Sequence, residues 1–356
     1  MLQIFNNLKE LNFQPDDVFL HFTGNIFGIG CSAFSEKAIQ KIIQLKQRDG
    51  TKGFIVLFSS LEQAKQYSFP DLAQPKIYSF LNQYYPANLT ALLRTEDKRF
   101  ALLAPDNIIA LRVPKTKLLR DFINHLGFPI LSTSINLSGE PYCSELSIIQ
   151  QQYETWFDFG LYDSTEPSEE AKPSTIINFV QEEHLQIKLL REGSIPFTEL
   201  EESWEKPLIQ FVCIANMCRS PIAEYYVRKR FEGEKLHFRT GSSGLSPKPG
   251  RISSYSRQIL ESYGIHVGDR PVVFLNDQIV RQSLYLLCMA SDIKHHLLEQ
   301  YPDVASKTFT FAEFTKNALE IENPYGLEYE AYIRVWDTVK QYTEELIRKL
   351  KELDLQ

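Results

Sequence analysis

The stretch from Leu208 to Phe231 constrains this chain more than any other part of it. Leu208 to Val212 read as a buried strand, and Pro221 to Phe231 read as a helix. Between them lies Cys213-Ile214-Ala215-Asn216-Met217-Cys218-Arg219-Ser220. Pro221 is predicted at the first helical position, where its missing N–H removes no hydrogen bond. A strand that passes through a short loop into a helix is half of a βαβ unit, and such units build parallel sheets covered by helices. Apolar runs alternate with amphipathic ones through the rest of the chain, so the whole reads as α/β.

A length of 356 residues predicts two domains. The polar, acidic, proline-bounded stretch Ser194 to Pro207 reads as their connection. We place the domains at residues 1–197 and 208–356, with the linker at 198–207. A net charge of −7 gives nucleic-acid binding no whole-chain support and leaves only a local basic patch for that purpose. The five cysteines are scattered and odd in number, which argues against a disulfide framework and predicts a reducing, cytoplasmic setting. Their spacing lacks the paired pattern of a zinc site. The first residues show no basic-then-apolar leader, and the densest apolar run, Leu284 to Ala290, is too short to span a bilayer, so no membrane partner is expected.

In the first half, Val18 to Phe22 reads as a strand, followed by a glycine-punctuated turn from Gly24 to Gly30. Ser35 can cap a helix whose apolar face is Ala38, Ile42 and Leu45. Phe54 to Phe58, Ile108 to Val113, Ile130 to Thr133, Ser174 to Val180 and Gln186 to Leu190 read as strands, and Lys117 to Leu126 as a helix. Asp163 to Lys172 is polar enough to be a loop. In the second half, Tyr255 to Tyr263 and Glu328 to Leu350 read as helices and Leu284 to Met289 as a strand. The adjacent His295 and His296 read as surface residues, not ligands.

The loop after Val212 carries the chemistry. Backbone amides turned inward at a helix N-terminus bind a dianionic phosphate without side-chain charge. The candidate cradle is Ile214, Ala215, Asn216, Met217, Cys218 and Ser220, and Arg219 adds a bidentate fork to the phosphate oxygens. The same field favours the thiolate of Cys213, which makes it the candidate nucleophile. Ser220 can hydrogen-bond the sulfur, Asn216 can adopt a left-handed conformation, and Cys218 is near enough to form a reversible disulfide under oxidation.

Taken with Thr240-Gly241-Ser242-Ser243-Gly244-Leu245, Tyr263-Gly264-Ile265, Leu287-Cys288-Met289 and Glu322-Asn323-Pro324-Tyr325-Gly326, the C-terminal half resembles the low-molecular-weight protein tyrosine phosphatase family, which includes protein arginine phosphatases. The resemblance implies a flavodoxin-like, doubly wound parallel sheet, a two-step reaction through a cysteinyl phosphate, no cofactor, and a phosphorylated protein as partner. Two positions depart from the family pattern. Ala215 stands where the family has Gly, and Asn323 stands at the general-acid position where the family has Asp; Glu322 is the alternative proton donor. Met217 favours phosphotyrosine over phosphoarginine. Cys288 reads as a buried thiol at a strand end.

Four pieces stand out earlier in the chain: Thr23-Gly24-Asn25-Ile26-Phe27-Gly28-Ile29-Gly30; Leu45-Lys46-Gln47-Arg48; Ser132-Thr133-Ser134-Ile135-Asn136-Leu137-Ser138-Gly139; and Pro173-Ser174-Thr175-Ile176 with Leu190-Arg191-Glu192-Gly193. Lys46 and Arg48 can embrace a triphosphate, and Ser134, Asn136 and Ser174 can orient a polar substrate. In this order the pieces resemble the Sua5/YrdC/YciO family over Asp16 to Gly193. That implies a twisted mixed α/β sheet and the joining of threonine, bicarbonate and ATP, with Mg2+, into the intermediate for the t6A modification of tRNA. By the resemblance, Lys46, Arg48, Asn136 and Arg191 face ATP, and Thr23, Arg112, Ser134 and Ser174 lie near the amino acid or the carbamate. Asn25, Phe27 and Pro86-Ala87-Asn88 depart from the family pattern. Three readings follow: an active synthase beside a phosphatase; a phosphatase joined to a degenerate nucleotide- or RNA-binding module; and, ranked below these because binding alone does not require the Cys213 thiol, a binding protein non-catalytic in both halves.

Overall fold

A computed structural model of the chain describes residues 2–353 except 48–49, 51–53, 105, 138–139, 167, 169 and 247–248. It divides into two compact units, Met1–Leu200 and Glu201–Gln356. No helix among the described residues is long and apolar enough to cross a membrane.

Among its described residues the first unit has ten strands: β1 Ile4–Phe5, β2 Phe19–Phe22, β3 Phe27–Ser32, β4 Ile55–Leu57, β5 Leu89–Arg94, β6 Ile108–Arg112, β7 Ile130–Ser134, β8 Phe159–Leu161, β9 Thr175–Gln181 and β10 Leu185–Arg191. They form one mixed sheet in the order β1-β8-β2-β3-β7-β4-β6-β5-β9-β10. The helix Lys117–Leu126 buries Leu119, Phe122 and Ile123 in a cluster with Phe19, Leu57, Ile130 and Phe159. Phe19 and Phe159 stack with ring centroids 5.2 Å apart, joining neighbouring strands by apolar contact as well as by the ladder. The helix Glu36–Leu45 starts where expected, with Ser35 Oγ accepting from the Ala38 N–H at 3.1 Å.

The turn expected from Gly24 to Gly30 is confined to Thr23–Ile26, since Phe27–Ser32 is a strand paired antiparallel to β2. Its glycines have a steric cause. The imidazole of His21 lies across β3, and a Cβ on Gly28 or Gly30 would meet it at 2.5 or 2.9 Å.

His21 is fully buried, and neither ring nitrogen has a hydrogen-bond partner. Burial, with the positive charge of Arg112, pushes its pKa from 6.5 down to about 3. Between those values the unfolded chain binds a proton that the folded chain refuses. Stability should therefore be fullest above pH 6.5 and fall on acidification through that window, by about 1.4 kcal/mol per pH unit from this group. Urea unfolding of wild type and His21→Leu as a function of pH checks this: the variant should show the shallower acid loss, and parallel curves would refute it.

The second unit is a four-stranded parallel sheet of β11 Leu208–Cys213, β12 Arg239–Gly244, β13 Ser283–Cys288 and β14 Thr308–Thr310, in the order β12-β11-β13-β14. Numbered within the unit, that is 2-1-3-4, the flavodoxin-like order. Every residue of β11 is buried, as a central strand covered on both faces requires. The long helix Tyr329–Glu352 buries Ala331, Tyr332, Val335, Trp336, Val339, Tyr342, Leu346 and Leu350, a stripe at helical spacing.

Two sequence expectations need correction. The helix after β11 is Arg219–Glu234, so Pro221 is its third residue; the first turn has no intrahelical acceptors for its N–H groups, and proline is tolerated there equally. The stretch 198–207 holds most of a helix, Phe197–Glu205, whose Leu200, Ser203 and Trp204 are buried. Its many acidic residues conceal that apolar spacing in the sequence.

Candidate active sites

Cys213 ends β11 at the carboxyl edge of the sheet, beside the point where the strand order reverses. Ligands bind at this place in open parallel sheets. The loop's orientation follows from its carbonyls. Those of Cys213 and Ile214 accept from Leu245 N and Ser246 N at 3.1 and 2.9 Å, and those of Met217 and Cys218 accept from Ser253 N at 2.9 Å and Ser256 Oγ at 3.5 Å. All four carbonyls are held from outside the loop. In a planar trans peptide the next N–H points the opposite way, so the amides of Ile214, Ala215, Cys218 and Arg219 are turned inward.

The Cys213 sulfur, 4% exposed, accepts from the Asn216 N–H at 3.2 Å and the Ser220 hydroxyl at 3.0 Å. Two donors on one sulfur stabilise negative charge there. Asn216 adopts φ +55° and is fully buried. Its amide donates to Ser220 Oγ at 3.0 Å and Ser242 Oγ at 2.8 Å, and accepts from Val273 N at 2.9 Å and Arg270 at 3.2 Å. Glu224 lies behind this knot, accepting from Ser242 Oγ at 2.7 Å, from Arg270 at 2.6 Å and from Arg228. Ser242, Glu224 and Arg270 were not foreseen as site residues. Their partners are distant in sequence, and although Ser242 lies in the Thr240–Leu245 motif, nothing local marks its bonds to Asn216, Glu224 and Arg270.

Arg219 is nearly buried and donates to the Ile321 carbonyl at 3.3 Å, bringing the segment that contains Glu322 and Asn323 beside the cradle. Glu322 is exposed and ion-paired to Arg334. Asn323 is exposed, and its Oδ1 accepts from Tyr325 N at 3.4 Å. Ala215 and Met217 are half-buried, and Ile214 is exposed at the rim. Burial pushes the Cys218 thiol up, and its sulfur lies 3.4 Å from the Tyr332 hydroxyl. Cys288 is buried at the end of β13, with its thiol pushed up to about 12 by burial. His295 and His296 are exposed in a helix, each facing Glu299.

In the first unit, direct hydrogen bonds gather the expected residues into three groups. Lys46 is buried, and its ammonium donates to the carbonyls of Ser134 and Asn136 at 2.5 and 2.9 Å and to Asn136 Oδ1 at 2.9 Å; Ser134 Oγ donates to the same amide oxygen at 2.6 Å. This ammonium holds the Ser134–Asn136 turn in place, where the sequence suggested a grip on phosphate. Arg112, also buried, donates to the carbonyls of Ala87 and Thr23 at 3.3 Å each, to Asn25 Oδ1 at 3.2 Å and to Asn88 Oδ1. Asn25 and Asn88, two of the departures from the family pattern, thus converge on one guanidinium. Ser174 shares a hydrogen bond with Thr90 Oγ1 at 2.8 Å, and the exposed Arg191 donates to the Ser174 carbonyl at 2.8 Å. Arg48 lies outside the described residues.

The family model described as "Telomere recombination", that of Sua5, YciO and YrdC, matches residues 17–193. The chain is 33% identical over 140 residues to the threonylcarbamoyl-AMP synthase of Vibrio parahaemolyticus, covering 39% of this chain and 76% of that protein. It is 29% identical over 171 residues to that of Histophilus somni, covering 47% and 91%.

The chain belongs to the Sua5/YciO/YrdC family.

Fused to this Sua5/YrdC domain is a second family domain: the model for the low molecular weight phosphotyrosine protein phosphatases matches residues 208–355. A solved low molecular weight protein tyrosine phosphatase from T. tengcongensis is 30% identical, covering 40% of this chain and 99% of that one, with a TM-score of 0.39. The YwlE arginine phosphatase from Geobacillus stearothermophilus is 26% identical over 42% and 96%, with a TM-score of 0.39.

Gly244 packs its α-carbon against the outside of the Cys213 loop. A Cβ on Gly244, the last residue of β12, would lie 2.6 Å from the Ile214 carbonyl and 2.9 Å from the Ala215 carbonyl carbon. Gly244→Ala must push the loop toward the cradle, and displacements of this order cost roughly 10²-fold in rate. Steady-state kinetics on an aryl phosphate should show that loss, and unchanged kcat/KM would refute the packing argument.

Proposed function

We propose that this chain is a two-activity enzyme. Its phosphatase domain hydrolyses phosphoryl groups through a phosphocysteine at Cys213, and its Sua5/YrdC domain condenses threonine, bicarbonate and ATP into threonylcarbamoyl-AMP with release of pyrophosphate. The observation that carries the first activity is the Cys213 sulfur, held by Asn216 N–H and the Ser220 hydroxyl beneath inward-turned amides. The thiolate attacks phosphorus, and Arg219, tied to the Ile321 carbonyl through one nitrogen, grips the equatorial oxygens with its other N–H donors. Water then displaces the sulfur, with the Ser220 hydroxyl stabilising the departing thiolate. Relatives of this domain are named for phosphotyrosine and for arginine phosphate. The half-buried Met217 offers an apolar edge suited to an aromatic ring.

In the synthase domain Arg112 fixes Thr23, Asn25 and Asn88 around the amino-acid end, and Lys46 fixes the Ser134–Asn136 turn. We assign Arg191, exposed and bonded to the Ser174 carbonyl, to the phosphates of ATP. Mg2+ would arrive on the triphosphate, where substrate oxygens and water supply most of its ligands. The relatives' activity makes tRNA modification the downstream use of the product. Pyrophosphate release that requires threonine, bicarbonate and ATP together tests the synthase. ATP binding without turnover would assign the domain to nucleotide binding alone. Phosphate release from an aryl phosphate, lost in Cys213→Ser, tests the phosphatase.

A further inference from the structure

Phosphoryl transfer to a thiolate leaves one question for the surroundings: what supplies a proton to the departing oxygen? Arg219's hydrogen bond to Ile321 seats Glu322 and Asn323 beside the cradle. Neither side chain is a ready donor. Both carboxylate oxygens of Glu322 are taken by Arg334, at 3.1 and 2.8 Å, and those hydrogen bonds hold its carboxyl below the usual range, so it is an anion at neutral pH. Asn323 is an amide.

Three other titratable groups described around the loop are committed elsewhere. Glu224 accepts from Arg228, Arg270 and Ser242 on the far side of Asn216. Tyr332 faces the Cys218 sulfur, and burial pushes its hydroxyl up to about 12. The Cys218 thiol is pushed up as well. None of these described side chains stands ready to protonate a leaving oxygen.

We propose that the Cys213 site is built for phosphoryl groups whose leaving oxygen departs as a stable anion: the terminal phosphoryl of an anhydride, as in an acyl phosphate or pyrophosphate. This rests on the reading of Cys213 as nucleophile and names its substrate class. In the first step the S–P bond forms and the bridging P–O bond breaks, and the electron pair leaves on a carboxylate or phosphate that needs no proton. In the second, water attacks phosphorus, the S–P pair returns to sulfur, and both protons of the water depart on dihydrogen phosphate. Charge balances, since a dianionic phosphocysteine and water give a thiolate and a monoanion. A carboxylic acid has a pKa of ~4 and a phenol ~10, so a phosphotyrosine leaving group needs the missing proton far more.

The test compares acetyl phosphate, inorganic pyrophosphate and a phosphotyrosine peptide on the full chain, with Cys213→Ser as background and trapped phosphocysteine as a second readout. Acetyl phosphate or pyrophosphate should exceed the peptide in kcat/KM by ~10²-fold or more, the typical worth of a positioned general acid. Which of the two is preferred identifies the anhydride. Asn323→Asp should raise turnover of the peptide by ~10²-fold and shrink the preference. Equal turnover of peptide and acetyl phosphate, with no gain from Asn323→Asp, overturns the substrate class and leaves the nucleophile standing. Failure of every substrate to label Cys213 overturns the nucleophile and the inference with it.

Discussion

Cys213→Ser should abolish phosphate release, by on the order of 10⁴-fold or more, while leaving the pocket's grip on inorganic phosphate largely intact. The two effects separate because two sets of atoms are involved. The sulfur supplies the attacking electron pair. The inward amides, the Asn216 knot and the Arg219 fork supply the binding, and besides the contacts of Asn216 N–H and Ser220 with the sulfur they are anchored to Ser242, Arg270, Ser253 and Leu245. A hydroxyl at 213 keeps the shape and the Ser220 contact but holds its proton far more tightly than a thiol. Steady-state release from an aryl phosphate and calorimetric titration with phosphate check the split. Residual turnover near that of the wild type would mean that another group attacks phosphorus.

Arg112→Leu should be the most damaging single change in the Sua5/YrdC domain. Its guanidinium satisfies two buried backbone carbonyls and the side-chain oxygens of Asn25 and Asn88, both almost fully buried. Leucine fills part of the space and donates nothing, so several acceptors lose a charged donor at once. Each such loss costs about 1–3 kcal/mol, and a total of ~3 kcal/mol or more is expected in this domain's unfolding free energy. Threonine- and bicarbonate-dependent pyrophosphate release should disappear, and aryl phosphate hydrolysis by the other domain should persist as the internal control. A variant that keeps wild-type stability and pyrophosphate release would show that the convergence on Arg112 carries neither.

The parts of the fold readable from sequence are those whose partners lie close along the chain. The helix Lys117–Leu126 has the bounds its apolar spacing predicts, and β11 and the helix after it fall within three residues of expectation, because the hydrophobic period changes sharply across the Cys213 loop. β12 escaped notice as a strand. Arg-Thr-Gly-Ser-Ser-Gly has neither bulk nor alternation, and only its pairing with β11 makes it extended. Cys213, Arg219, Asn216 and Ser220 could be named because strand, loop and helix are contiguous. Glu224 and Arg270 could not, since the contact that makes them matter spans 46 residues. Asn25 and Asn88 show a subtler limit. Read singly they look like lost substrate donors, yet they meet at Arg112, one of them 87 residues away. Position-by-position comparison registers what a residue no longer is and misses a partner gained across the sheet.

The out-turned carbonyls and the fully engaged Asn216 mean that the cradle stands ready before any guest arrives. Oxyanions such as tungstate or sulfate should therefore settle into it without remodelling the protein, and their ranking should follow charge and size rather than an ability to induce fit. For inhibitor chemistry, the anionic warhead can be treated as a fixed pin, and selectivity has to be sought at the rim, where Ile214 and Tyr325 stand open to solvent.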